Sequence, residues 1–261
     1  DHGLPLGVAW HKCWAREELK HMTKKEKDRW LRKTPIQEKE SFRWIEGMRA
    51  AREVAEACPV TTCICIGDSD ADIYELYCES RATSGGNLHF LVRACHQRNT
   101  SANDVDWWNA VRATKCLFKC SVSVSPRTAR RETETRQRHS TREARMAELE
   151  VRATTVTISP PYRQGRKRPK LPNVTLNLVL AEETNPPEDA TPIQWLLVTT
   201  LPIDTLQQVQ NIVKYYSGRW QIETNHAHYV QRFTFSQEDK SAYIGNQGIV
   251  GSGAMVSAMP A

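Results

Sequence analysis

No apolar run in this chain approaches the roughly 20 residues that a bilayer-spanning helix requires, so a helical membrane protein is not expected. No secretory leader is recognisable at the start, and the expected location is the cytoplasm. The eight cysteines, at 13, 58, 63, 65, 78, 95, 116 and 120, include no C-x-x-C pair. Buried, reduced thiols are therefore expected in preference to disulfides or a zinc site. What remains is a chain of 261 residues, 39% hydrophobic and 25% charged, long enough for one large domain or two small ones around a buried core.

The most informative stretch is Cys63-Ile64-Cys65-Ile66-Gly67-Asp68-Ser69-Asp70-Ala71-Asp72-Ile73-Tyr74-Glu75. A short apolar run ends in a glycine and three alternating acids, and a helical pattern follows. That order is expected of a buried strand that delivers a carboxylate to the edge of a sheet. In open α/β sheets, ligands gather outside the carboxyl ends of strands. Asp68, the first residue past the strand, is the candidate functional carboxylate. Asp70 and Asp72 fit a plainer role at a helix start, where carboxylates accept bonds from free N–H groups.

The net charge of +6 is concentrated in one place. Residues 126–170 carry 13 Lys/Arg against 5 Glu, a surplus of +8 that leaves −2 for the rest. A segment holding the whole positive excess suits a surface that meets phosphate; a solvated loop is the competing reading.

Taken in order, 6–14 reads as a strand and 16–33 as a charged, loosely helical or mobile segment. Thr34-Pro35 supplies an N-cap and first-turn proline. Apolar residues at Trp44, Ile45, Met48, Ala51, Val54 and Ala55 then predict a long amphipathic helix over 35–57. A strand at 61–66, a helix to about Ala82, a turn at 84–87 and a strand at 88–94 ending near Arg93 complete a β-α-β-α-β series. From about 112 to 190 the pattern changes to period-2 alternation, as in Phe118, Cys120, Val122 and Val124; Leu149, Val151 and Ala153; and Val174, Leu176, Leu178 and Leu180. These are expected antiparallel strands with one wet face. Residues 193–198 return to a continuous apolar strand, and Asp204 is expected to cap a helix with Leu206, Val209, Ile212, Val213 and Tyr216 on its apolar side. If that helix continues through Gly218, then Tyr216, Arg219 and Glu223 share one face.

These motifs together resemble the DDE-class bacterial insertion-sequence transposases of the insertion sequence four / transposon five group. Tyr216, Arg219 and Glu223 match the family's Tyr-x-x-Arg-x-x-x-Glu signature, and the Gly-Asp-Ser-Asp-Ala-Asp-Ile stretch is similar to the block holding its second catalytic Asp, which falls on Asp68. The segment 178–200, with Leu-Ala-Glu-Glu-Thr-Asn-Pro-Pro and Trp-Leu-Leu-Val-Thr-Thr, and Glu38-Lys39-Glu40-Ser41 with Arg43-Trp44 also resemble family segments. The likeness covers roughly residues 1–223.

The resemblance implies an α/β fold with an RNase-H-like core, interrupted by an antiparallel β insertion. Its divisions would be 1–111 as partial core with Asp68, 112–190 as the basic insertion, 191–230 as the core return with the Glu helix, and 231–261 as an irregular tail. It implies two Mg²⁺ (or Mn²⁺) ions about 3.5–4 Å apart in phosphodiester displacement, with Asp68 and Glu223 as catalytic metal ligands, since hard cations take oxygen donors. Tyr216, Arg219, Trp195 and Arg93 would contact DNA, Trp195 by stacking on a flipped-out base. The implied partners are transposon terminal repeats and a second copy bridged by DNA, in a bacterial, nucleoid-associated setting.

Departures from the family pattern shape the expectation. The first catalytic Asp should lie on a strand upstream of residue 1; Asp1 falls in a later turn, so the core is expected to be incomplete, with its first strands missing. The signature's Lys should fall at 230, where this chain has Val230. After Glu223 the text diverges, as a frameshifted or decayed tail would. Impaired catalysis, or a non-catalytic DNA-binding remnant, is the expectation for this chain.

Overall fold

The computed structural model describes residues 9–12, 22–80, 86–101, 105–126, 142–161, 171–188, 190–219, 252–253 and 256–259. Its strands are β1 (His11–Lys12), β2 (Thr62–Gly67), β3 (Leu88–Arg93), β4 (Phe118–Val124), β5 (Arg145–Ile158), β6 (Val174–Glu183), β7 (Gln194–Thr199), β8 (Ser252–Gly253) and β9 (Val256–Met259). The helices are α1 (Lys24–Lys33), α2 (Phe42–Ala57), α3 (Tyr74–Ser80), α4 (Trp107–Arg112) and α5 (Leu206–Ser217). One mixed sheet organises them in the order β4-β5-β6-β7-β3-β2, with short β9 on the outer edge of β2; β1 and β8 form a separate pair. Among the described strands only β2 and β3 run parallel; every other neighbouring pair is antiparallel. The fold is thus mixed α/β. No helix among the described residues is long and apolar enough to cross a membrane.

The sheet separates two apolar clusters. On one face, Cys63, Phe90, Val92, Leu178 and Val198 pack against α2, α3 and α4. On the other, Ile64, Ile66, Leu91, Val179 and Leu197 pack against Val209, Ile212, Val213 and Tyr216 of α5. Alternation along each strand assigns each side chain to its face. The helices follow the apolar periodicity: Ile45, Met48, Ala51 and Ala55 of α2 are all buried, each contributing about 1.5–3 kcal/mol by leaving water if large and less for alanine.

Several expected elements fall elsewhere. Residues 24–33 are a true helix, because Thr23 and Glu26 form a reciprocal capping box. Thr34 ends that helix instead of starting the next one: its N–H and its hydroxyl both donate to the Trp30 carbonyl. The long helix expected over 35–57 is divided into a 3₁₀ turn at Ile36–Glu38 and α2. Thr205, with Gln208, caps α5 in place of Asp204. The strands expected as a separate insertion extend the same sheet, with β6 pairing β7 from Asn177↔Thr199 to Glu182↔Gln194. β6 does not have one wet face: Val179 and Ala181 are as buried as Leu178 and Leu180, since α5 covers the second side. Most of the basic segment, at 127–141 and 162–170, lies outside the described residues, as does the tail between 220 and 251. Of its described arginines, Arg145 faces Glu183 and Arg152 faces Glu150, while Arg142 donates to the Ser125 carbonyl at 3.1 Å. Free thiols occur at all seven described cysteines, but Cys58, Cys95 and Cys116 are exposed instead of buried; burial pushes Cys65 up to about 12.

Candidate functional site

Asp68 stands where the sequence predicts it, one residue beyond β2. Because β2 and β3 are parallel with Gly67 opposite Val92, Asp68 and Arg93 emerge at the same edge. β7 runs the other way with Leu197 opposite Arg93, so Trp195 at its beginning reaches that edge too. Alternation sets the face. Ile66, Leu91 and Leu197 belong to the cluster under α5, and Asp68, Arg93 and Trp195 each lie two positions away from one of them. Tyr216 arrives from the last turn of α5 and meets Trp195 edge-on, with ring centroids 5.3 Å apart at 67°.

Electrostatics ties the group together. The Tyr216 phenol is only 5% exposed, and burial pushes its pKa up. The charges of Arg93 and Arg219 oppose that rise, while the Asp68 carboxylate adds to it. The Arg219 side chain lies close enough to the Tyr216 hydroxyl to favour its ionised form, and its backbone N–H donates to the Tyr216 carbonyl at 3.0 Å. Arg93 reaches back to the Ser69 hydroxyl at 3.4 Å. Five of the six residues expected at the site thus converge on one edge and one face. The sixth, Glu223, lies outside the described residues. The described helix ends at Ser217, with Gly218 in right-handed helical geometry as its C-cap.

The local chain holds Asp68 tightly. Its Oδ1 accepts the Asp70 N–H at 2.9 Å, making Asp68 itself the cap of a 3₁₀ turn at Ser69–Ala71. Gly67 makes that turn fit: a Cβ there would sit 2.6 Å from the Ala71 Cβ. Gly67→Ala is therefore expected to cost about 1–3 kcal/mol through overpacking and to shift Asp68, read as a lower urea midpoint with an unchanged m-value.

Neither neighbouring acid plays the capping role the sequence suggests. Asp70 faces Arg43 of α2 at 3.5 Å. Asp72 is buried, and its carboxylate accepts the Tyr77 hydroxyl at 2.7 Å, the Cys95 and His96 N–H groups at 2.7 and 2.8 Å, and the Arg98 guanidinium. Burial alone would raise its pKa, but the Arg98 charge and the two N–H donors overcome this and hold it below the usual carboxylate range. Arg98 in turn lies over Tyr74, Tyr77 and Trp107, at 6.0, 5.5 and 5.5 Å from the ring centres. The signal for Asp72 was weak but present, an acid between Ala71 and Ile73. Arg98 carried none, sitting in the polar run Cys95-His96-Gln97-Arg98-Asn99.

Two sets of side chains could be considered for a cation. Asp72, Cys95 and His96 bring ligand atoms within 4.8 Å of one another. The four donors on Asp72 occupy its lone pairs, however, and burial with the Asp72 charge pushes the Cys95 thiol up to about 11. That donor set suits neither a hard cation nor a thiolate-bound one. Asp68 is only partly buried, beside the Ser69 hydroxyl, and oxygen donors of this kind fit a divalent hard cation. No protein-family model matches the chain.

Proposed function

We propose that this chain is a DDE-type transposase with an RNase-H-like core, whose chemistry is metal-dependent phosphodiester cleavage and strand transfer at transposon ends. One observation carries the reading: Asp68, Arg93, Trp195, Tyr216 and Arg219 come from four separate segments and gather at one sheet edge. A carboxylate flanked by two guanidinium groups and an aromatic pair is what a phosphodiester and a base require.

In this reading Asp68 and Glu223 would hold Mg²⁺ or Mn²⁺, and the ion would supply activation of the attacking hydroxyl and charge stabilisation of the leaving oxygen. Arg93 and Arg219 clamp the DNA backbone as forked donors. Tyr216 stays protonated, since burial raises its pKa, and so offers a hydroxyl donor near the phosphate. Trp195 presents its free ring surface to an unstacked base. The basic segment 126–170 contributes affinity through counterion release, and two copies bridge a pair of DNA ends.

A second reading, a DNA-binding remnant without catalysis, is favoured by Val230 in place of the signature's Lys. Mg²⁺-dependent nicking of terminal-repeat DNA separates the two. Measurable cleavage that disappears in Asp68→Ala supports the catalytic reading; equal traces from both chains would leave only the remnant. For either reading, affinity for DNA is expected to fall steeply as salt rises, and salt-independent binding would remove DNA as the partner.

A further inference from the structure

The Asp72 carboxylate joins two loops that each carry a residue of the candidate site. Asp72 lies four residues after Asp68, in the turn that follows β2. Its two acceptor contacts at Cys95 and His96 lie two and three residues after Arg93, in the loop that follows β3. Arg98, from that same loop, grips both the Asp72 side chain and its backbone carbonyl, the latter at 3.2 Å. Two lighter contacts run in parallel: the Cys95 thiol donates to the Ser69 carbonyl at 3.3 Å, and Arg93 donates to the Ser69 hydroxyl at 3.4 Å. Pairing between β2 and β3 ends at Gly67↔Val92; β7 still holds Arg93, opposite Leu197, but Asp68 has left the ladder, and the turn that carries it is tied to the loop after Arg93 by side chains.

We infer that the Asp72–Arg98 pair is a positioning device that fixes Asp68 and Arg93 relative to each other. The carboxylate takes over where the β-ladder stops. Its side chain is fully buried and that of Arg98 nearly so, and three aromatic rings hold the guanidinium from around it. A solvent-facing ion pair would flex; a pair desolvated on this scale has few alternative geometries. Asp72 touches neither metal nor DNA in this scheme and acts only through the loops it ties. The functional half of the inference rests on the reading of Asp68 as a metal ligand; the mechanical half does not.

The test uses the full chain, the Asp72→Asn and Arg98→Lys variants, and the Asp72→Asn/Arg98→Met pair, which removes both charges and keeps a folded comparison available. Two readouts are needed: amide hydrogen exchange at 68–73 and 94–98 against β5 and β6, and Mn²⁺ affinity by electron paramagnetic resonance, with Asp68→Ala as the control. The expected result is exchange at least about tenfold faster in the two loops, while β5 and β6 amides keep their protection. Mn²⁺ affinity should fall about tenfold as well, the size typical of losing an outer-sphere support, with Arg98→Lys recovering part of both. Acceleration spread evenly over loops and sheet, or none at the loops, would overturn the positioning role and leave a merely structural ion pair. Loops that loosen in a chain whose Mn²⁺ binding is absent, or indifferent to Asp68→Ala, would uphold the tie between loops and sink the metal reading alone.

Discussion

Asp72→Asn is expected to destabilise the fold by roughly 3–5 kcal/mol, the range for breaking a buried ion pair from one side. The substitution keeps the volume but removes the charge that Arg98 needs: with the amide oxygen kept toward the Cys95 and His96 N–H groups, which share one carboxylate oxygen, the N–H₂ is turned toward the Arg98 guanidinium. Arg98 is enclosed by Tyr74, Tyr77 and Trp107 and has no route to water that spares the packing. The double variant with Arg98→Met should recover much of the loss, since the amide oxygen can still accept both N–H groups and no buried charge is left unpaired. Urea titrations of the four chains in a double-mutant cycle measure the coupling. The same residue predicts the acid limb. Its folded pKa is depressed, so its contribution is fully present above the ordinary Asp value of about 3.9 and is lost as pH falls through the folded value. Wild-type stability should therefore slope downward below about pH 4, and the asparagine variant should show a shallower slope there.

Trp107→Ala should cost about 3–5 kcal/mol, whereas Trp195→Ala should cost clearly less and act instead on nucleic-acid binding. Trp107 is fully buried at the start of α4. Among the described residues its indole N–H has no hydrogen-bond partner, so the ring serves by volume and by its face toward Arg98. Removing it opens a large cavity and uncovers a guanidinium at once. Trp195 is only partly buried, and its defined contact is the edge-on meeting with Tyr216, worth about 0.5–1.5 kcal/mol beyond area. On the proposed function, losing its ring should weaken binding to single-stranded DNA by about 1–3 kcal/mol per stacked base. Thermal melts and fluorescence titrations of the two variants side by side check both halves. A Trp195→Ala chain as unstable as Trp107→Ala, with DNA affinity unchanged, would make Trp195 a core residue and nothing more.

The positions of Asp68, Arg93 and Trp195 were legible because each lies at the end of a strand whose apolar run is unmistakable. Period-2 alternation then gives the face without any knowledge of partners. The same holds for α5, where Val209, Ile212, Val213 and Tyr216 are buried as their spacing predicts; Leu206, at the end of the stripe, is half exposed. What stayed hidden depends on contacts between distant positions. Asp72 looks like a helix cap until Arg98, twenty-six positions later, is brought beneath it. Thr34 before Pro35 reads as a beginning, yet the competing hydrogen bond to Trp30 makes it an end. The alternation in β6 suggested a wet face because it cannot show that α5 will lie across it.

The pairing of Leu91 with Thr199 and of Arg93 with Leu197 has a kinetic consequence. Asp68 and Arg93 become neighbours through a short crossover, but Trp195 and Tyr216 join them only after a loop of roughly a hundred residues has closed. Loop-closure entropy must be met before such distant pairings can reward it. Ordering at the edge of β2 should therefore precede the aromatic wall. During refolding the carboxylate and its guanidinium neighbour would stand assembled while the surface that receives a base is still absent.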